Sequence, residues 1–417
     1  MPRGISDIPE LRLAVLNGFV TKWKMPPNLV LMNLFGRGDR RSPSSTVKWE
    51  SQTGGRGMAP FKPPGAPSPM TSPFGIAQHE AEAAFWGEKM YFDEEFLNNL
   101  RKPGTTETYY SAQQRLADEL MGMTIRNWRR KEWMFAKMLV DGSFSYSDRT
   151  GTKVSVDYDI PSTHSVTLGS TVKWGTGTSA DILGDIIDGK RTISDDCGAK
   201  VDYALCSNQV FQYLTEDTTV RQLLQKNAFG DGGLFSGTKH SIVGANASVV
   251  GNLLDIPNFI VYDEVYEVRA NLTGAVTGGT TTDISVDDPT DFEVGGTLTF
   301  YDVSAGTSET GTISAVSPEA GTVSVSSAPT ASYKAVEDYV AMKRRYIPDD
   351  KFIMMASRVD GKLSADYFSA PYGLDRHYGV KVDRKETWDP DGIFIRVQDK
   401  GLPILRQRDS VYILDVE

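Results

Sequence analysis

The chain has 417 residues, 40% hydrophobic and 24% charged, with two cysteines and four histidines. That composition excludes a disulfide-stapled or disordered chain and leaves room for two or three packed domains. A net charge of −10 argues against a surface that grips nucleic acid along its whole length, and no apolar run approaches the ~18 residues of a membrane span.

Residues 7–24 cluster Leu11, Leu13, Val15, Leu16, Phe19 and Val20 on one side, the pattern of a short amphipathic helix. The opening stretch MPRGISDIPELRLAV (1–15) lacks the continuous apolar core of a signal peptide, so synthesis and assembly in a cytoplasm are expected. Pro26-Pro27 ends the helix, and the apolar run NLVLMNLF (28–35) stops at Gly36. Residues 42–76 carry Pro43, Pro60, Pro63, Pro64, Pro67, Pro69 and Pro73, with Gly54, Gly55, Gly57 and Gly65 among them, so the middle of this stretch is expected to be irregular. Its flanks alternate in polarity, over Thr46 to Glu50 and again over Gln78 to Trp86, which predicts a long two-stranded arm with an irregular tip. Such a ribbon is marginal alone in water. Free linkers rarely carry rings such as Trp49 and Trp86. The arm is therefore expected to be stabilised by a partner.

Asp93 to Leu100 reads as a short helix, closed by Pro103-Gly104. Residues 111–141 read as one unbroken helix. Leu116, Leu120 and Met123 recur at helical spacing, Met121, Ile125 and Trp128 repeat it one position over, and Phe135, Met138 and Leu139 carry the stripe onward. At about 1.5 Å per residue the rod is roughly 46 Å long. Asp141-Gly142 supplies its stop, with glycine available for a left-handed cap. Arg126, Arg129, Arg130 and Lys131 form a mid-helix basic cluster. They fit a solvated face whose stems cover apolar surface, or contact with acidic groups on another subunit or on packaged nucleic acid.

Phe144–Asp159 and His164–Trp174 alternate and predict a small antiparallel sheet beside the long helix. Residues 178–193 predict a helix capped by Thr178 or Ser179. Lys200–Ser207, Asn258–Asp263 and Lys351–Ser357 read as strands of one mixed domain, with helices at 208–214 and 219–226. Tyr378–Val416 reads as several returning strands. The stretch 271–333 differs in kind: rich in Thr, Ser, Gly and Val, it contains eight carboxylates and no Lys or Arg, so it carries −8 of the net −10. Its strand spacing fits a small barrel or sandwich of about six strands, inserted into a loop of the mixed domain, rather than a long hairpin.

Little in the chain points to chemistry. Cys197 and Cys206 read as buried small apolar residues. Asp231-Gly232-Gly233 lacks the context and the Lys-Ser/Thr of a phosphate loop, and reads as a mobile loop. DDPTD (287–291) misses the calcium-loop pattern and reads as a turn, as do Asp349-Asp350 and Asp389–Gly392. No spacing selects a nucleophile, base and orienter. The chain is expected to have no catalytic, cofactor-binding or metal site, and to need no cofactor.

The order of elements resembles a tailed-phage major capsid protein of the Hong Kong 97 fold, in the manner of the lambda-type major head protein E family. The resemblance is carried by the arm WESQTGGRGMAPFKPPGAPSP (49–69), FDEEFLNNLR (92–101), IRNWRRKEWMFAKMLVDGSFSYS (125–147), VSVDYDIP (154–161), IPDDKFIMMAS (347–357) and QRDSVYILDVE (407–417). It implies an α+β capsid fold with an N-terminal arm (1–41), an extended E-loop (42–92) and a peripheral domain (93–175) holding a spine helix (111–141). An axial domain (176–270 and 334–375) and returning strands (376–417) complete it, and the β insert (271–333) is extra to the basic fold. The resemblance further implies identical subunits in hexamers and pentamers, a virion location, and a separate scaffolding protein and portal. A decoration protein on the shell and non-specific contact with packaged DNA are its looser implications. The insert is expected on the outer shell face, away from DNA. Some relatives cross-link through Lys and Asn, and the sequence marks no such pair. Trp49, Phe61 and Trp86 are the expected intersubunit anchors and Arg126, Arg129 and Arg130 the expected intersubunit ion-pair donors. Two other classes stand beside this one: a virion surface or tail protein that uses the acidic insert to bind host or sugar, and a hydrolase with an unrecognised site.

Overall fold

The long helix runs Tyr110–Val140, within one residue of its sequence-based bounds. The computed structural model describes residues 13–36, 39–52, 76–93, 110–147, 153–177, 179–223, 247–388 and 391–417, with short pieces at 58–59, 61–65, 67–68 and 70. Asp93, the expected start of a helix, ends the strand Ala84–Asp93, while residues 94–100 and the glycine-bearing loop around Asp231 lie outside the described residues. Leu120, Met123, Trp128, Met134, Phe135, Met138 and Leu139 form the buried stripe of the long helix, whereas Met121 lies off it at 36% exposure. The helix ends where Gly142 takes φ +65, the left-handed conformation that glycine adopts without a Cβ clash.

The chain divides into two compact units: Met1–Ser51, Ile76–Ala136 and Ala365–Arg406 make one, and Gln52–Gly75, Lys137–Ser364 and Gln407–Glu417 the other. In the first, the 15-residue strand Asp391–Leu405 organises a five-stranded sheet. It pairs antiparallel with Ala84–Asp93, Lys381–Trp388 and Ala365–Ser369, and Asp39–Arg41 adds a parallel edge to the last of these. Ile393, Ile395 and Val397 alternate onto one face and pack with Leu120 and Met123 of the long helix and with Leu16 and Val20 of the N-terminal helix Leu13–Lys22. Asn17 fixes that N-terminal helix, donating to the Val382 carbonyl at 3.3 Å and accepting from the Val382 N–H at 3.1 Å.

In the second unit, five strands lie in the order Ser165–Thr167, Val411–Asp415, Lys351–Met355, Tyr203–Cys206, Asn258–Val261. The central strands are buried on both faces, which is why Phe352–Met355 is an unbroken apolar run. Helices Ile182–Cys197, Asn208–Glu216 and Ala247–Leu253 belong to the same unit. Cys197 and Cys206 are buried free thiols in its core, as their sequence context implies.

The structure corrects two expectations within this unit. The strand expected at 164–174 is only Ser165–Thr167, and it joins the five-stranded sheet beside Val411–Asp415, not the hairpin of Ser143–Ser147 with Lys153–Asp157. Buried His164 explains the diversion: its ring is held by the Val411 carbonyl at 2.9 Å and the Asp196 carboxylate at 2.8 Å. The cap of the following helix is Asp181, whose carboxylate accepts from Gly184 N–H at 3.0 Å, and not the expected Ser179; the other expected cap, Thr178, lies outside the described residues.

The acidic stretch folds into a six-stranded sheet with a hydrophobic cluster of its own, including Leu272, Ile284, Phe300, Val323 and Val340. Four strands lie within 271–333; the other two are the flanks Val265–Asn271 and Tyr339–Arg345, which pair with each other. An isolated bridge between Leu272 and Val286, just past the ends of Val265–Asn271 and Asp283–Ser285, brings the first and last strands of the sheet together at one end. Many of the carboxylates are structural. Glu309 accepts from the Thr330 N–H at 2.7 Å and the Ala331 N–H at 3.1 Å. Asp302 accepts from the Ala305 N–H at 2.8 Å. Asp338 accepts from the N–H groups of Val303 at 2.9 Å and Lys334 at 2.7 Å. Acidic side chains are thus used to satisfy turn N–H groups that the sheet leaves unpaired.

These bonds hold the Glu309 and Asp302 carboxyls below their ordinary values of 4.5 and 3.8. A folded value below the unfolded one stabilises the fold above the unfolded value, and that contribution is lost as pH falls through the folded value. Glu309→Gln is therefore expected to lower the insert's melting temperature at neutral pH and to flatten its decline in acid. Thermal melts between about pH 3 and 7 test this; an unchanged acid slope would refute it.

Candidate assembly surface

Strands Thr46–Gln52 and Ile76–Glu82 pair as a separate two-stranded sheet, so the arm's second strand, expected over Gln78 to Trp86, ends at Glu82, and Ala84–Asp93 with Trp86 pairs instead into the five-stranded sheet. The arm's alternation is strict: Val47, Trp49 and Ser51 are buried, while Lys48 and Glu50 are exposed. On the second strand Gln78, Glu80 and Glu82 face out. The inward face is tied by side chains. The Trp49 ring stacks on His79 with centroids 5.4 Å apart, and Ser51 Oγ lies 2.8 Å from His79 Nε2. The Ala83 N–H donates to the Ser45 carbonyl at 3.0 Å, closing the base of the ribbon.

Between the strands, Met58, Phe61 and Met70 are 93%, 105% and 102% exposed. Three fully exposed large apolar side chains on one short stretch are unusual for a surface that stays in water. Phe61 precedes a tight turn at Pro64-Gly65, where Gly65 takes φ +85 and Lys62 Nζ donates across to Ser68 Oγ at 2.9 Å.

The expected anchors separate. Phe61 is wholly exposed. Trp49, at 6% exposure, is packed within its own chain and has little area left to offer a neighbour. Trp86 is half-buried opposite Asp399 in the sheet, and its buried indole N–H has no acceptor among the described residues.

The basic cluster separates too. Arg126 is exposed and donates from Nε to both oxygens of Glu88 at 2.9 Å. Burial raises the Glu88 carboxyl despite that neighbour. Arg129 is exposed, and the Arg130 guanidinium lies 5.3 Å over the Trp133 ring. Lys131 departs from the solvated reading altogether. It is buried, 2.6 Å from buried Asp399, with its ammonium 4.6 Å over the Tyr367 ring.

Sequence reasoning missed two buried polar arrangements of the long helix. One is the Lys131–Asp399 pair. The other is Glu132, wholly buried, whose carboxylate accepts from the N–H groups of Leu31 at 2.9 Å and Met32 at 2.7 Å. These donors open the helix Val30–Phe35, so the long helix supplies that helix's N-terminal cap from 101 residues away. A signal was present: Glu132 continues the apolar stripe Trp128, Phe135, Leu139, and Lys131 continues Met134, Met138.

Residues 13–281 match the family model described as phage major capsid protein E. No curated protein sequence matches the chain. Among solved structures, the putative capsid protein of a prophage of E. coli CFT073 is 9% identical, with 98% of this chain and 99% of that one covered at a TM-score of 0.51. A phage-related protein from Bordetella bronchiseptica RB50 is 10% identical, with 96% of each chain covered at a TM-score of 0.48. At 9% identity the first likeness is one of fold.

Proposed function

The chain belongs to the phage major capsid protein E family, and from that premise we propose that its arm is the device by which each copy holds the next. The protein is a major capsid protein: identical copies assemble into the shell of a phage or prophage head, and its place is the virion capsid. The work is mechanical. The reading as a surface or tail protein that binds host or sugar through the acidic insert is not favoured by this membership.

The observation that carries the arm reading is the full exposure of Met58, Phe61 and Met70 between two well-packed strands. Burying each against a neighbour is worth about 1.5–3 kcal/mol before ordering costs. In this reading the chain has the Hong Kong 97 arrangement, with residues 42–92 as the E-loop, the long helix as the spine, and peripheral and axial domains built on the two sheets. The six-stranded sheet is an inserted domain whose bounds widen from 271–333 to 265–345, because the flanking strands complete it. Its acidic surface suits the outer face, away from packaged DNA. Hexamers and pentamers, a separate scaffold and portal, a decoration protein and assembly in the host cytoplasm complete the proposal.

Deleting residues 53–70 is expected to leave a soluble, folded subunit that forms no closed shells when expressed with its neighbouring genes. Negative-stain electron microscopy reads the result, and normal shells would sink the arm reading.

A further inference from the structure

We infer that the acidic insert of one copy docks a strained corner, built on Val303 and Val336, against the sheet organised by Asp391–Leu405 in a second copy. The contact uses the side of that sheet turned away from the long helix. This inference rests on the capsid reading above.

Val336 has φ +70, a conformation that a β-branched side chain adopts only under strain. The backbone is held there from both sides. The Val336 N–H donates to the Leu272 carbonyl at 2.7 Å. The Asp338 carboxylate accepts from the Lys334 N–H at 2.7 Å and from the Val303 N–H at 2.9 Å. That last bond draws the turn after Thr297–Asp302 beside the loop 334–338. Val336 and Val303 are left 83% and 60% exposed. Strain held in order to expose an apolar side chain serves nothing within the chain itself. The corner is anionic as well. Its two loops, 302–306 and 334–338, carry Asp302, Glu337 and Asp338 against Lys334 alone.

The receiving face follows from alternation. Ile393, Ile395 and Val397 turn onto the long helix. The opposite side presents Phe85, Lys89, Tyr91, Lys385, Phe394 and Arg396. Phe85 and Tyr91 are 50% and 37% exposed, and the Tyr91 and Phe394 rings lie 4.7 Å apart. Lys89 sits directly opposite Arg396, with its ammonium 5.5 Å over the Phe394 ring, and Lys385 sits directly opposite Phe394. Like charges paired across strands weaken a sheet. Asp383 meets Arg396 at 2.8 Å, but among the described residues neither Lys89 nor Lys385 has a carboxylate within 4 Å. An anionic partner would offset that repulsion.

The two surfaces match in both chemistries. Val303 and Val336 meet exposed rings, and the carboxylates of the corner meet Lys89 and Lys385. Both surfaces belong to every copy. At a net charge of −10, identical copies repel on average, and this pairing brings the acidic part of one onto a cationic part of the next. Corner and face are different patches of one chain, so the contact is head-to-tail, which suits rings within a closed shell.

Val336→Gly separates contact from internal structure, because glycine takes φ +70 without strain. The unassembled full-chain variant is expected to melt no lower than wild type, yet to need about tenfold more protein for half-maximal shell formation. A side chain that served only internal packing would lower the melting temperature instead. Lys89→Glu with Lys385→Glu is expected to raise the same concentration about tenfold, and adding Glu337→Lys to restore it. Circular dichroism of the unassembled variants checks that the fold is unchanged. Wild-type shell formation by either variant would overturn this inference and leave the capsid reading standing. So would duplex DNA that binds the wild-type subunit and is released by Lys89→Glu with Lys385→Glu, which would assign the face to nucleic acid. A wild-type chain that forms no shells with its neighbouring genes would overturn the capsid reading, and the inference with it.

Discussion

Lys131→Met is expected to destabilise the subunit by about 3–5 kcal/mol, a large fraction of the stability of an ordinary domain. The reason is the partner left behind. Asp399 has no exposed surface, its Oδ2 lies 2.6 Å from Lys131 Nζ, and among the described residues that oxygen makes no aligned hydrogen bond, so the ammonium charge is what compensates it there. Removing the ammonium leaves an uncompensated carboxylate between the long helix and the strand Asp391–Leu405. The double variant Lys131→Met with Asp399→Leu should recover most of the loss, because exchanging a buried ion pair for apolar side chains of similar size is often neutral or stabilising. It loses only the 2.7 Å bond that Asp399 Oδ1 accepts from the Lys400 N–H. Denaturant unfolding of the unassembled subunit, followed by circular dichroism, gives both numbers. A single variant within about 1 kcal/mol of wild type would show that the pair contributes no more than a surface bridge does.

Glu132→Ala is expected to be nearly as damaging, at about 2–4 kcal/mol, and to act on a defined segment. The N–H groups of Leu31 and Met32 would lose their acceptor in a region where Leu31, Met32 and Phe35 are buried and water is excluded. The isosteric Glu132→Gln should be only a partial remedy, since its amide nitrogen would face a donor where an oxygen now accepts. The distinguishing readout is limited proteolysis between Trp23 and Asn28. Cleavage there should rise in the variants, because the helix Val30–Phe35 loses its cap. Global destabilisation without enhanced cleavage in that segment would mean that Glu132 serves general packing and not the docking of the N-terminal segment.

Both carboxylates show where sequence reading stops. The apolar stripe of residues 111–141 is a local periodicity, and a 3.6-residue repeat over eight turns specifies a helix whatever lies around it. The same repeat places positions 131 and 132 on the inward stripe, but a charged side chain among basic neighbours reads as solvated, which hides their burial. Their partners were not legible either: Leu31, Met32 and Asp399 are reached only through the fold, and nothing in the spacing of a helix names a residue a hundred or more positions away.

The arm and the acidic insert divide along the same line. Thr46–Gln52 and Ile76–Glu82 announce themselves by their period of two, and the proline-rich stretch between them announces its irregularity. That Trp49 turns inward onto His79 while Phe61 stands fully exposed is a matter of which face packs, and an isolated alternation cannot choose a face. The acidic stretch was legible as β-rich and distinct. Its true edges were not, because Val265–Asn271 and Tyr339–Arg345 join it by non-local pairing. Its charge, read from sequence as a surface property, turned out to serve in part as acceptors for turn N–H groups. The sequence by itself determined the elements, their order and their family character, since these follow from short-range periodicity and turn chemistry. Only the tertiary structure decided strand neighbours, inward faces and ion-pair partners, since these depend on desolvation and on contacts between segments far apart in the chain.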